Sequence, residues 1–325
     1  MLNIIIDTLG GDNGSAPIIE AVKEFLKNNS DVKFTLVGNK DELTSLEGVC
    51  EIVHAPDIVP MEAGPLEVMR MKNSSMYVAN SLMKERKADA IISCGSTGGF
   101  LSCSTLLLKT ALNVKRAALV APFPTKIKGK KVVILDIGAS NENSPEELVQ
   151  FAKMGELYSQ AIYGVEKPAI YLLSNGTEEG KGSPSGKKAY KLLQESNPNF
   201  KGNIEARNAL SGEADVVVTD GFSGNIFLKG CEGIAKMMAS MIKYAFKKNL
   251  WTKLGYLHVS GGIKEMTETM DYKSTGGAML LGINGVVVKA HGNSDAYAFG
   301  CALKVAKNLA SADIVNKISE GLKNE

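Results

Sequence analysis

Asp215-Val216-Val217-Val218-Thr219-Asp220-Gly221-Phe222-Ser223-Gly224-Asn225-Ile226-Phe227-Leu228-Lys229 is the stretch that decides the fold. A β-branched apolar run stops at Thr219-Asp220, crosses two glycines and enters a helical pattern. That is a strand, a tight loop and a helix start. In an α/β protein such a junction holds anions or reacting groups, because the first N–H groups of a helix are unpaired and its dipole favours negative charge. Gly221 and Gly224 permit close backbone approach. Asp220, Ser223, Asn225 and Lys229 bring a carboxylate, a hydroxyl, an amide and an ammonium into one short segment. A plain strand-to-helix turn with a capping Asp or Ser accounts for the same residues, so the stretch alone leaves both readings open.

The same grammar recurs on either side. Leu2 to Ile6 leads into Asp7-Thr8-Leu9-Gly10-Gly11-Asp12 and a helical pattern from Pro17. Ala88 to Ser93 opens into Cys94-Gly95-Ser96-Thr97-Gly98-Gly99 and a helix over Phe100 to Thr110. Val132 to Asp136 runs into Gly138-Ala139-Ser140, Ala169 to Leu173 into Ser174-Asn175-Gly176-Thr177, and Val286 to Ala290 into His291-Gly292-Asn293-Ser294. Lys33 to Val37 and Ala117 to Ala121 complete the candidate strands; Glu67 to Lys87, Pro145 to Tyr163 and Gly186 to Glu195 read as helices. Strands that are apolar throughout and alternate with helices predict a mostly parallel sheet covered on both faces, a three-layer α/β/α arrangement. With no repeat and no linker, residues 1–325 read as a single α/β unit in which two subdomains share a continuous sheet.

In a parallel sheet, ligands gather outside the carboxyl ends of the strands. That makes Asp7, Gly10, Gly11, Ser96, Thr97, Gly98, Gly138, Ser140, Gly176, Asp220, Ser223, Asn225, His291 and Asn293 candidate cleft residues. Gly180-Lys181-Gly182 adds a lysine on flexible, close-approaching backbone, which suits a phosphate or another oxyanion.

Composition narrows the function. The chain is 44% hydrophobic and 22% charged with a formal net charge of +2, which argues against nucleic-acid binding driven by bulk charge. Five scattered cysteines without a C-x-x-C read as reduced thiols of a cytoplasmic protein. Neither G-x-G-x-x-G nor the P-loop pattern is present and the three histidines are far apart, so neither a metal nor a cofactor is expected. With no G-x-S-x-G elbow and no cysteine beside an obvious base, a covalent acyl-enzyme is not indicated. One segment departs from the overall balance. Residues 233–264 contain no Asp or Glu, while Lys243, Lys247, Lys248 and Lys253 lie among Met241, Tyr244, Phe246 and Trp251. It reads either as a buried helix with a solvated lysine face or as a basic aromatic surface for an acidic protein or an anionic membrane.

The motifs carry a resemblance over nearly the whole chain. Ile6 to Asp12, Arg70 to Met76, Leu135 to Ala139, Gln150 to Gly155, Gly176 to Gly182, Phe200 to Arg207, Asp220 to Asn225 and Lys289 to Ser294 resemble, in this order, the bacterial phosphate acyltransferases of the PlsX family. The resemblance implies an isocitrate/isopropylmalate dehydrogenase-like and phosphotransacetylase-like fold, usually as a homodimer. It implies transfer of a long-chain acyl group from acyl carrier protein to inorganic phosphate, giving acyl phosphate for phosphatidic acid and phospholipid synthesis. On that reading Lys181 clamps phosphate or an oxyanion, Asn225 donates from its amide, Asp220 orients Lys181 or Asn225, and Ser96, Thr97, Gly138, Ser140 and His291 line the cleft. The basic segment then meets acyl carrier protein, or attaches peripherally to the inner face of the cell membrane beside a membrane glycerol-3-phosphate acyltransferase. Ser96, Ser140, Ser174 and Ser183 stand where the family is expected to carry asparagine. An acyl-CoA-dependent phosphotransacylase and a catalytically silent scaffold of lipid synthesis are the alternatives.

Overall fold

A computed structural model describes residues 1–64, 67–86, 88–270 and 275–323. In chain order the elements are β1 (Leu2–Asp7), α1 (Ala16–Lys27), β2 (Val32–Gly38), α2 (Lys40–Leu43), β3 (Glu51–His54), α3 (Ser75–Arg86), β4 (Ala90–Ser93), α4 (Thr97–Leu108), β5 (Ala118–Pro124), β6 (Lys131–Leu135) and α5 (Pro145–Tyr163). They continue with β7 (Ile170–Ser174), α6 (Pro184–Ser196), β8 (Phe200–Glu205), β9 (Val216–Val218), α7 (Gly221–Lys247), α8 (Leu250–Met270), β10 (Ala278–Leu281), β11 (Val286–Lys289), α9 (Ala296–Ser311) and α10 (Ile314–Gly321).

The strands form one sheet in the order β3-β2-β1-β4-β11-β10-β5-β6-β9-β7-β8. β3, β2, β1, β4 and β11 are mutually parallel, and so are β6, β9, β7 and β8. Between these halves come three antiparallel pairings in succession, β11 with β10, β10 with β5 and β5 with β6. Three reversals leave the two halves running in opposite directions. Their carboxyl ends therefore lie at opposite edges of the sheet, not at the common edge expected from the sequence. Two of the reversals are local, since only residues 125–130 join β5 to β6 and only residues 282–285 join β10 to β11, too few for the crossover that a parallel pair requires. The antiparallel pairing of β10 with β5 supplies the third and sets the two halves in opposition.

Alternation along each strand divides the core between the two faces. Ile4, Ile6, Ile92, Val133, Leu135 and Val218 pack with Val22 of α1, Phe151 of α5 and Phe299 of α9 on one face. Ile5, Ile91, Val132, Ile134 and Val217 pack with Met76, Ala79 and Met83 of α3 and Phe100 of α4 on the other. This gives the three-layer architecture. Helix boundaries follow ordinary end chemistry. α5 starts at a capping box, in which the Ser144 hydroxyl accepts from Glu147 N and the Glu147 carboxylate accepts from Ser144 N, and it stops at Gly164 with φ 67°. The helix expected over residues 67–87 begins only at Ser75, and residue 87 lies outside the described residues.

The basic aromatic segment is the far part of α7 together with α8, which pack as a helical hairpin with Phe246 and Tyr256 in edge-to-face contact at 5.3 Å. The reading as a buried helix is not met. Gly221 and Gly224 are the buried positions described in α7, and Tyr244, Leu250 and Trp251 are 75%, 70% and 81% exposed. A helical face this apolar left in water is unusual for a chain that acts alone.

Candidate active site

The opening stretch folds as a capped helix N-terminus. Asp220 is extended, and its carboxylate accepts from Ser223 N at 2.8 Å and from Ser223 Oγ at 2.9 Å, so Asp220 is the N-cap of α7. The two glycines are required by contact with the loop after β6. A β-carbon on Gly221 would lie 2.1 Å from the Ser140 carbonyl oxygen, and one on Gly224 would lie 1.9 Å from the Asp136 carbonyl oxygen. That loop is itself tied down by Asp136. The buried carboxylate accepts from Leu119 N, Gly138 N, Ala139 N, Ser140 N and Ser140 Oγ at 2.7–3.0 Å. Burial raises the Asp136 pKa, and these bonds oppose the rise. Gly138, at φ 135°, lies directly against the Asn225 side chain.

β6, β9 and β7 end side by side, so the loop bearing Gly176 and Lys181 neighbours this junction. Gly182 N donates to Asn175 Oδ1 at 2.9 Å, and the Lys181 side chain is exposed. The other candidates collect at the opposite edge, where β1, β4 and β11 end. There Asp7 is fully buried, accepting from Ser93 Oγ at 2.6 Å and Leu9 N at 3.3 Å, and burial pushes its pKa up to about 6. Gly10, at φ 82°, and Gly11 let this loop pack onto Gly95, Cys94 and Gly292, and Asp12 N donates to Gly292 O at 2.8 Å.

A cavity of about 640 Å³ connects the two edges. It runs along β5, lined by Leu119, Ala121 and Phe123, beneath a face of α7 formed by Asn225, Leu228, Lys229 and Glu232 at helical spacing. Gly138 and Ile137 border it at one end, and Thr97, Lys289, His291 and Gly292 at the other. Of the residues expected from the sequence, Thr97, Gly138, Asn225 and His291 line this cavity. Asp7 ends β1, Gly98 and Ser223 sit in the first turns of α4 and α7, and Gly10, Gly11, Ser96, Ser140, Asp220 and Asn293 sit in the supporting loops. Gly176 and Lys181 lie on the neighbouring loop, outside the cavity wall.

Lys289 was missed. It closes the buried run Val286-Val287-Val288, and a charge ending so apolar a strand was the available signal. Its Nζ donates to Cys94 O at 3.3 Å and to Ala290 O, and burial lowers its pKa to about 8. Burial also lowers the pKa of His291. Among the described residues no cluster of three or more His, Cys, Asp or Glu is placed to hold a metal ion.

Three of the four serines singled out in the sequence make local bonds. Ser96 caps α4 by accepting from Gly99 N at 3.3 Å, Ser183 caps α6 by accepting from Gly186 N at 3.1 Å, and Ser140 binds Asp136. At the two cap positions, Ser96 and Ser183, serine and asparagine would serve equally well. Ser174 Oγ is buried and has no hydrogen-bond partner among the described residues.

Fold and cavity together define an α/β protein of the phosphotransacetylase-like class. The chain superposes on EutD phosphotransacetylase from Staphylococcus aureus with a TM-score of 0.59 at 16% identity, covering 97% of this chain and 94% of that one. A branched-chain phosphotransacylase from Enterococcus faecalis V583 gives 0.60 at 16% identity, with 95% and 99% covered. At these identities the likeness is one of fold. The sequence is closer to other proteins. A family model described as "Fatty acid synthesis protein" matches residues 2–317. A phosphate acyltransferase of Exiguobacterium sp. strain AT1b is 42% identical over 323 residues, 98% of each chain, and one of Staphylococcus aureus is 39% identical over 322 residues, again 98% of each. The chain belongs to this family of phosphate acyltransferases, enzymes that transfer an acyl group to phosphate.

Proposed function

We propose that the enzyme moves a long-chain fatty acyl group from acyl carrier protein to inorganic phosphate, and that the acyl phosphate feeds phosphatidic acid and phospholipid synthesis. The observation that carries this reading is the cavity itself. Its long wall is apolar and follows β5 from Leu119 to Pro124, roughly 17 Å at ~3.3 Å per residue, room for an extended acyl chain. Amide and ammonium groups stand beside that wall.

The chemistry needs little else. A phosphate oxygen attacks the thioester carbonyl carbon, the new C–O bond forms as the C–S bond breaks, and the proton of hydrogenphosphate ends on the departing thiol. Phosphate is already an oxyanion at neutral pH, so the protein's contribution is positioning and stabilisation of the charge developing on the carbonyl oxygen. Asn225 donates its side-chain amide to that oxygen. Lys181 approaches from the adjoining loop as an oxyanion clamp. Asp220 acts on Asn225 by fixing the α7 N-terminus. No redox or metal-dependent step enters this scheme.

The lysine-rich hairpin is the docking surface for acyl carrier protein, acidic as a family, with Lys243, Lys247, Lys248 and Lys253 steering and Trp251 as an apolar anchor. The apolar side of α7, with Ile234, Met237 and Met241 56%, 55% and 62% exposed, suits a second copy of the chain in a homodimer. Among the described residues no helix is long and apolar enough to cross a membrane. The scattered free cysteines support our reading of a cytoplasmic enzyme. Steady-state kinetics with acyl carrier protein and CoA thioesters, in wild type and in a Lys243→Ala/Lys247→Ala/Lys248→Ala variant, test this reading. The carrier protein thioester should be preferred, and the triple variant should raise its KM alone, with the difference shrinking at high salt. Equal use of CoA thioesters would mean an acyl-CoA-dependent enzyme. A variant that only releases the protein from anionic vesicles would make the hairpin a peripheral membrane anchor.

A further inference from the structure

Lys289 is 7% exposed and lies in the cavity wall. Its ammonium bonds two backbone carbonyls, and among the described residues no carboxylate is in ion-pair contact with it. The Asp7 carboxylate, at the end of β1 with β4 between it and β11, is occupied by Ser93 Oγ and Leu9 N. Taking an ammonium out of water is costly unless an opposite charge compensates it, and carbonyl dipoles compensate only in part. A lysine kept in such a place on the wall of an open cavity calls for an anion inside that cavity. Lys229 and His291 line the same end, as does Thr97 of the α4 N-terminus. Glu232 is the lone carboxylate among the described lining residues, and Lys229 holds it at 3.0 Å.

We infer that Lys289, with Lys229 and His291, forms the binding site for the inorganic phosphate substrate. The inference rests on the phosphate acyl-transfer reading, which places the thioester carbonyl at Asn225. Asn225 and Lys229 are one helical turn apart on the same face of α7, about 6 Å between β-carbons. A phosphate held by Lys229 and Lys289 therefore lies next to the carbonyl that Asn225 orients, on the side from which it attacks. A purely structural Lys289, tying the β4 and β11 loops together, would affect stability and leave phosphate affinity alone.

The test is calorimetric titration of inorganic phosphate into the full chain, paired with steady-state KM values for phosphate and for the acyl thioester. Lys289→Met and Lys229→Met are each expected to weaken phosphate binding about tenfold, the loss of one charge-assisted contact, with the thioester KM unchanged. Lys289→Arg is expected to recover part of the affinity. Unchanged phosphate affinity in a folded Lys289→Met variant overturns the inference. Should that variant fail to fold, unchanged affinity in Lys229→Met, a substitution at an exposed position, overturns it equally. Phosphate binding that depends on both lysines, in a protein that makes no acyl phosphate, would sink the acyl-transfer reading and leave the site standing. Acyl phosphate formation with phosphate affinity indifferent to both lysines would sink the site alone.

Discussion

Lys289 links the protonation state of the protein to its substrate. Asp7 on β1, Asp12, Cys94 and Lys229 on α7 act on it electrostatically, but burial dominates and lowers its pKa from 10.5 to about 8. A depressed lysine pKa means that the folded protein gives up this proton as pH rises through about 8, well before an ordinary lysine would. Phosphate affinity is therefore expected to fall above pH 8 in wild type. In Lys289→Arg that limb should vanish, because guanidinium keeps its proton throughout. A phosphate KM that is flat from pH 7 to 9.5 in wild type would contradict the assignment. Residues of this kind were only partly legible in the sequence. Thr97, Gly138, Asn225 and His291 could be found because each sits where a strand gives way to a glycine-rich turn. Lys289 belongs to the strand itself, and its role emerges only once β4, β11 and α7 are assembled around it. Lys181 was marked by its flanking glycines, yet those glycines shape a loop beside the cavity, and nothing local to them showed which way the lysine would face.

At the scale of elements, the α7 N-terminus and the Asp136–Ser140 loop form one rigid unit. Gly221 and Gly224 are the points of closest approach, and neither has room for a side chain. Gly224→Ala is expected to push α7 away from the loop, lowering stability by about 1–3 kcal/mol and displacing Asn225 from Gly138. Thermal unfolding and turnover should both drop; a variant with unchanged melting temperature and turnover would show that this contact is slack. The alternation of strands and helices, and with it the layered class of fold, was readable because buried parallel strands are apolar on both faces. Strand direction was not. β10 has four residues, and β5 reads like any other buried strand, yet the antiparallel pairings of these two turn half of the sheet around. β3 and β8 also escaped notice, since Glu51 and His54 in one and Lys201 and Asn203 in the other interrupt the apolar pattern. The consequence was a single imagined cleft where the protein has two loop clusters joined by a cavity.

Across the whole molecule, a near-neutral charge conceals a local imbalance. The hairpin of α7 and α8 carries its lysines and its exposed Met, Tyr and Trp side chains away from the sheet, while the cavity lies against the sheet at the base of the same helix. α7 thus runs from the reacting centre to the surface proposed for the carrier, a layout in which docking and chemistry share one element. The segment's composition was legible, but its exposure was not, since burial depends on what the rest of the chain packs against. The central claim is that this cavity joins phosphate to an acyl thioester under the control of Asn225. The direct measurement is formation of acyl phosphate from labelled inorganic phosphate and a long-chain acyl carrier protein thioester, by wild type, Asn225→Ala and Lys181→Ala. Wild type is expected to form acyl phosphate, and each variant, still folded, to turn over slower by about 10²–10³, the cost of one lost oxyanion donor. Absence of acyl phosphate with wild type, or near-wild-type turnover in both variants, would contradict it.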